Sequence, residues 1–448
     1  MLSAESFWTS SLRTAPEGER ITRILAAAIT AVEPGAAVAR FVQREGDTLT
    51  ISGRVYDLRL FRRVVLLGMG KASLAMSTTL AGILGGRLDG GLVITKYVSA
   101  TPLFPFTILE GDHPVPDERS LEAGQKTIEL VSSLGPKDLL FCLISGGGSA
   151  LVTAPVDGVS LVDTQGLTSA LLACGAPIDE MNTLRRRLDQ VKGGGIVKRT
   201  NGANIVSLIL SDVVGSPLEA IASGPTAPDP ATRAEALSIL VKYELENRIP
   251  ISILHSLRTS PETPKPGDPI FEKVQNVIVG SNLLAAQVAL AQAEAEGFYP
   301  YLLRTDLQGE ACHTAFELAT FLRQARLTRD PVPAPACIVA GGETTVILKG
   351  NGKGGRNTEL ALAAVSELAG FPGVMLVTLA TDGEDGPTDA AGAVVTGETF
   401  RRAASLGLYP GLFLERNDSY TFFSALDDLL KPGPTGTNGN DLVFLFVF

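Results

Sequence analysis

Several glycine-rich and acidic segments of this chain carry residue types that can do chemistry, and most of them follow an apolar run. Gly68-Met69-Gly70-Lys71-Ala72-Ser73 stands between a strand pattern and a helix pattern. Gly68 and Gly70 let the backbone approach a ligand, the helix start offers unpaired N–H groups to an anion, and Lys71 adds a full positive charge. The dinucleotide fingerprint needs glycine at the sixth position, which here is Ser73, and the Walker A spacing is absent. A plain strand-to-helix turn with a solvated lysine is therefore an equal reading. Ser145-Gly146-Gly147-Gly148-Ser149 exposes successive backbone N–H groups between two hydroxyls, a nest for phosphate or carboxylate oxygens. Without G-x-S-x-G or a supporting histidine it is not a serine-nucleophile motif. Arg185 and Lys192, from the run Arg185-Arg186-Arg187 and the segment Lys192-Gly193-Gly194-Gly195, are candidate ligand-binding cations; a solvated basic face is the alternative.

Asp212 follows another apolar run, where a carboxylate takes a proton, holds Mg2+ or caps the next element. Arg356, after Gly354 and Gly355, sits where a helix should start and suits a bidentate clamp on an oxyanion. Asn357 beside it is either a ligand contact or a helix cap. Glu343, Asp382 and Asp385 are the candidate metal ligands, because carboxylates beyond strand ends suit a hard divalent cation. The EF-hand spacing is missing, and an acidic surface turn is the alternative for the last two. His113, in Gly111-Asp112-His113-Pro114, contacts a substrate or merely stiffens a turn.

The elements that must position these groups alternate. Strand patterns cover residues 62–67, 91–95, 106–109, 138–144 and 204–210, and helices 72–84 and 120–134. Residues 4–39 read as helical. The fully apolar run 138–144 is typical of a buried parallel strand. This β-then-α order predicts an α/β fold with a parallel sheet and helices on both faces. The proline-rich stretch TSPETPKPGD, residues 259–268, is the predicted linker or surface crossing, giving domains 1–262 and 263–448. Alternation restarts beyond it, with strands at 276–280, 299–303, 336–340, 374–379 and 441–448, and a helix at 283–296.

Composition narrows the function. Hydrophobic residues make up 45% of the 448, enough for a sizeable core, and charged residues only 19%, which excludes disorder as the main state. The formal net charge of −10 leaves no basic nucleic-acid footprint. No apolar run reaches the roughly 18 residues of a membrane span, and no signal peptide is read. Cys142, Cys174, Cys312 and Cys337 form no C-x-x-C pair, so free thiols in a reducing cytoplasm are expected. A homodimer is compatible with the sequence, which fixes no oligomeric state.

Taken together the segments resemble class II glycerate 2-kinases, the MOFRL type. The matching stretches run from GMGKAS (68–73), GDHPVPD (111–117) and SGGGSALV (145–152) through SDVVG (211–215) and IASGPTAPDP (221–230). They continue with GGETTV (341–346), GNGKGGRNTELAL (350–362), TDGEDGPTDAAGA (381–393) and GPTGTNGNDL (433–442). The resemblance implies two α/β lobes, the first Rossmann-like, with the active site in the interdomain cleft. It implies ATP and Mg2+, and phosphorylation of D-glycerate at its 2-hydroxyl to 2-phosphoglycerate. The family's active-site lysine and arginine fall on Lys71 and Arg356, and Asp212 is the expected proton acceptor. Departures from the usual pattern are Arg187, Asp189, Gly195, Ser216 and Gly439. Two other readings remain: an NAD-dependent hydroxypyruvate reductase, and a non-enzymatic sugar-phosphate-binding regulator.

Overall fold

A computed structural model describes residues 3–96 and 105–448 and divides the chain into two compact units. One, the inserted lobe, runs from Pro34 to Val279; the other, the split lobe, joins the first 33 residues to Gly280–Phe448. This corrects the expected division at 262/263. The helix Gly18–Val32 buries Ile21, Ile24, Leu25 and Ile29 in one cluster with Ala285, Ala286 and Ala289 of the helix Asn282–Ala295. Arg23 adds a bidentate pair to Glu296, with both N···O distances 2.7 Å. The stretch 259–268 is not a linker: Thr263 donates to the buried Asp229 at 2.8 Å, which also accepts from Arg186 at 2.7 Å, so the prolines are tied into the inserted lobe.

The inserted lobe opens with the helix Pro34–Phe41 and a small antiparallel sheet of β1 (Val42–Glu45), β2 (Thr48–Ile51) and β3 (Arg54–Asp57). Its main sheet contains β4 (Arg63–Met69), β5 (Gly90–Thr95), β6 (Phe106–Glu110), β7 (Asp138–Ile144), β8 (Asn204–Leu210) and β9 (Val274–Gly280). Their order is β6-β5-β4-β7-β8-β9, and β4 pairs in parallel with both β5 and β7. Successive residues feed opposite faces: Leu139, Phe141 and Leu143 meet the helix Ser73–Leu84, while Leu140, Cys142 and Ile144 meet the helix Glu118–Ser132. That is the expected Rossmann-like layering. A further cluster joins the helices Leu161–Ala173, Ile178–Arg187, Arg233–Lys242 and Ile251–Thr259.

The split lobe holds β10 (Tyr299–Leu307), β11 (Ala336–Gly342), β12 (Val374–Ala380), β13 (Gly392–Thr396), β14 (Leu429–Leu430) and β15 (Asp441–Val447), in the order β10-β11-β15-β12-β13-β14. This sheet is mixed. The C-terminal β15 lies between β11 and β12 and antiparallel to both, pairing Asp441 with Gly342 on one side and Ala380 on the other. The start of β15 therefore shares one sheet end with the two loops that follow β11 and β12. All four cysteines are free, and among the described residues no single helix is long and apolar enough to cross a membrane.

Candidate active site

In the inserted lobe the strand order reverses between β4 and β7, which sit side by side although β5 and β6 intervene in sequence. Ligands of open α/β sheets bind beyond the strand ends at such a switch point. The two loops there are laced together: Lys71 N donates to Gly146 O at 2.9 Å, and Ala72 N to Ser145 Oγ at 3.0 Å. Two glycines make room for side chains. A Cβ on Gly146 would collide with Asp212 Oδ2. Gly147 is left-handed (φ +84°), and a Cβ there would lie 3.2 Å from His113 Cδ2 and 3.3 Å from Lys71 Cγ. The glycine run thus lets a carboxylate, an imidazole and a lysine stem converge.

His113, Gly146, Gly147 and Asp212 border a cavity of about 420 Å3, and the Lys71 stem packs beside Gly147. Gly146, Gly147, Ser149, Arg185, Lys192, Asp212 and His113 line its polar end. Ser149 Oγ lies 2.8 Å from Ser223 Oγ, which donates to Asn182 Oδ1 at 3.2 Å. Ala222 and Ser223 both have positive φ (+49° and +61°), a strained conformation that the contacts of Ser223 with Ser149 and Asn182 help to hold. Asn182 carries no signal in the sequence, whereas Ser223 lies in the matched stretch IASGPTAPDP, with no role of its own legible there.

The electrostatics favour an anion. Among the described residues, the side chains of Lys71, which is exposed, and Arg185, which is partly buried, have no hydrogen-bond or ion-pair partner. Burial pulls the Arg185 guanidinium below its usual range. Burial, and then the nearby Lys71, Lys96 and Arg185, hold His113 below its ordinary value, so it is neutral at pH 7. Burial raises Asp212, with Lys71 pulling the other way, which makes this carboxylate more basic than a solvated one.

Other predicted ligands have structural work instead. Lys192 is buried, donates to Val152 O and Thr153 Oγ1 at 3.2 Å each, and pairs with Asp189, so its three protons are spoken for. Gly68 lies inside β4 against Ser77 and Val93, and Ser145 is buried holding the neighbouring loop. Gly70 and Gly148 pack on Ser145 and Ala222. The departures bring their own partners, Asp189 with Lys192 and Arg187 with Glu262 at 2.6 Å.

In the split lobe, Arg356 begins the helix Arg356–Glu367. Its Nε and Nη2 donate to the two oxygens of Asp441 at 2.5 and 3.2 Å, and Nη1 to Glu343 at 2.7 Å. Burial opposes the charge, but these carboxylates raise Arg356 above its usual value. Asp441, the first residue of β15, was missed from sequence because only the antiparallel insertion brings it to this sheet end. Asp382 is pushed up to about 6, first by burial and then by the Asp441 charge. Asp385 is not available to a metal: its oxygens accept from Asn357 N (2.9 Å), Thr358 N (2.8 Å) and Thr358 Oγ1 (2.7 Å), capping the helix. Asn357 is buried in that cap, and Gly354 and Gly355 pack on Ser419 and Asp385.

Glu343, Asp382 and Asp441 offer the hard oxygen donors that suit Mg2+, and the raised Asp382 is a carboxylate in want of a cation. They fit an ion that takes one or two carboxylates and completes its shell with water and phosphate. Among the described residues one tighter group exists, Glu310, Cys312 and Glu359, with ligand atoms within 4.8 Å of one another. It is structural: both Glu359 oxygens accept from Asn417 at 3.1 Å, and Glu310 caps the helix Ala311–Thr328.

Residues 20–258 match the family described as "Domain of unknown function (DUF4147)", and residues 336–441 match the MOFRL family. The D-glycerate 2-kinase of Thermotoga maritima is 42% identical over 384 residues, covering 85% of this chain and 90% of that one. The chain belongs to the class II glycerate 2-kinase family. A crystal structure of the glycerate kinase from Thermotoga maritima superposes with a TM-score of 0.86 at 39% identity, covering 95% of this chain and 98% of that one. A family relative from Agrobacterium vitis, provisionally named a hydroxypyruvate reductase, is 41% identical, covering 85% of this chain and 86% of the relative.

Proposed function

We propose that this protein transfers the γ-phosphoryl group of ATP to the 2-hydroxyl of D-glycerate, giving 2-phosphoglycerate and ADP. The observation that carries the reading is the pair of unpartnered cations, Lys71 and Arg185, at the switch point of a parallel sheet and beside a glycine loop. Such charges stabilise what develops on a phosphoryl group in flight, where catalysis is mostly positioning and electrostatics. Asp212, made more basic by burial, accepts the proton of the 2-hydroxyl as its oxygen bonds to phosphorus and the bond to the β-phosphate oxygen breaks. Arg356 is the split lobe's cation for an oxyanion, and binding one draws it from Asp441 and Glu343. Asp382, with one of those two carboxylates once Arg356 has moved, would hold Mg2+, which neutralises polyphosphate charge when bound. The free cysteines suit a reducing compartment, and the cytoplasm is the proposed location.

One observation favours a second reading. The strand order β6-β5-β4-β7-β8-β9 is also that of dinucleotide-binding sheets, which suits an NAD-dependent hydroxypyruvate reductase. Against it, the sixth fingerprint position is Ser73, whose buried hydroxyl is shared between Gly70 O (2.8 Å) and Ile94 O (2.9 Å). 31P NMR of a mixture of ATP, Mg2+ and D-glycerate tests the proposal: a 2-phosphoglycerate resonance is expected. NADH oxidation by hydroxypyruvate with no such resonance would replace it with the reductase.

A further inference from the structure

The cavity in the inserted lobe has two chemically different ends. Its wall on the helical side is built mainly from Leu167, Leu171 and Leu172 of the helix Leu161–Ala173 and from Ile178 and Met181 of the next helix, with Thr164, Thr168 and Asp179 of the same helices beside them. Leu167, Leu171 and Met181 belong to the helical core cluster, whereas Leu172 and Ile178 are 62% and 58% exposed. The helix Leu161–Ala173, LVDTQGLTSALLA, is apolar on more than the one face its core cluster covers. A helix with a second apolar face normally has something to put against it.

Glycerate cannot be that occupant. Each of its three carbons carries oxygen, so it offers no apolar surface, and the wall would stay wet. The volume, about 420 Å3, lies within the range of sites that enclose ligands much larger than a three-carbon acid. A purine has two flat apolar faces for a leucine-isoleucine wall, and a ribose and polyphosphate continue it into polar surroundings. The charge pattern matches that sequence of groups. Arg185 sits on the helix that bears Ile178 and Met181, within the cavity wall and without a partner among the described residues. Lys71 stands over Gly147 at the polar end.

We propose that the apolar half of this cavity seats the purine nucleoside of the phosphoryl donor, with its polyphosphate running toward Arg185, Gly147 and Lys71. This rests on the kinase reading and assigns the donor, rather than D-glycerate, to this part of the inserted lobe. Removing the leucine-isoleucine contact without adding charge exposes less apolar surface to the ring, so affinity for the nucleoside falls while affinity for the phosphates alone does not.

The test compares ADP and inorganic pyrophosphate as probes, by calorimetry on the full chain, in the wild type and the double variant Leu172→Ser/Ile178→Ser. Both positions are exposed, and circular dichroism checks the fold. The expected result is an ADP Kd raised about tenfold with pyrophosphate binding unchanged, and an ATP KM that rises in step while the D-glycerate KM does not. Arg185→Ala should weaken both probes. As an independent measurement, photolabelling with 8-azido-ADP should mark peptides within residues 161–187. Unchanged ADP affinity, a rise in the D-glycerate KM instead, or label confined to residues 280–448 would overturn the assignment. Loss of ADP binding in the double variant, in a protein that makes no 2-phosphoglycerate, would keep the nucleoside site and remove the kinase reading.

Discussion

In the inserted lobe Lys71 and Arg185 stand without side-chain partners among the described residues, while in the split lobe Arg356 is gripped by Asp441 and Glu343. The difference is one of electrostatic satisfaction. A cation with no hydrogen-bonded or ion-paired carboxylate gains from any anion that arrives, and its loss breaks no direct pair. A half-buried cation on a buried carboxylate supports the fold, and its loss strands that carboxylate. The first arrangement is built to receive a ligand; the second must exchange one partner for another.

The largest expected effect separates these two roles. Lys71→Ala should lower turnover by about 100-fold or more, as single transition-state donors do, with the thermal unfolding temperature unchanged. Arg356→Ala should lose activity and also about 3 kcal/mol of stability, because Asp441, whose side chain is 8% exposed, is left without its partner. Paired assays and calorimetric scans check this. A Lys71→Ala protein that melts early, or an Arg356→Ala protein that melts normally, would break the contrast.

Asp382 sharpens it further. Its carboxyl titrates at about 6 in the folded chain, above its ordinary value of 3.8, so between those values the folded state binds more protons than the unfolded state. Its contribution is therefore most favourable below pH 4 and is lost as pH rises through 6. Asp382→Asn removes that loss: the variant should be more stable than the wild type at pH 8, by about 1–3 kcal/mol, and equal to it near pH 4. Denaturant midpoints at the two pH values decide. An equal difference at both would mean the carboxylate is already compensated.

The smallest effect concerns Asp385. As a helix cap it should cost about 1–2 kcal/mol when changed to Ala, with the Mg2+ dependence of the rate unaltered. A shifted Mg2+ requirement with unchanged stability would return it to the metal site.

Where local patterning decides, sequence and structure agree closely. The runs at 138–144 and 204–210 are strands with those limits, because a parallel strand covered on both faces is apolar throughout and needs no partner to be recognised. The short meander β1 to β3 escaped notice. Its strands are four residues each, partly polar, and recognisable only once paired. The same limit governs the site. Lys71 and Asp212 follow apolar strands and Arg356 follows a glycine run at a helix start, so all three could be singled out by type and place. Asn182 has ordinary neighbours in sequence, and Ser223 and Asp441, although inside matched stretches, meet their partners only across the fold. Conversely, Lys192 and Asp385 look like ligands until their protons and oxygens are counted.

The sequence by itself determined the α/β class, the positions of the buried strands, the glycine loops at their ends and the family to which the chain belongs. These follow from periodicity, from the special backbone freedom of glycine and from ordered motifs, all of which are properties of neighbours along the chain. Only the tertiary structure decided that the first 33 residues join the C-terminal lobe, that β15 runs antiparallel between β11 and β12, and which charges are free and which are paired. Those outcomes depend on contacts between residues hundreds of positions apart, such as Arg23 with Glu296, whose energies exist only once the chain has folded.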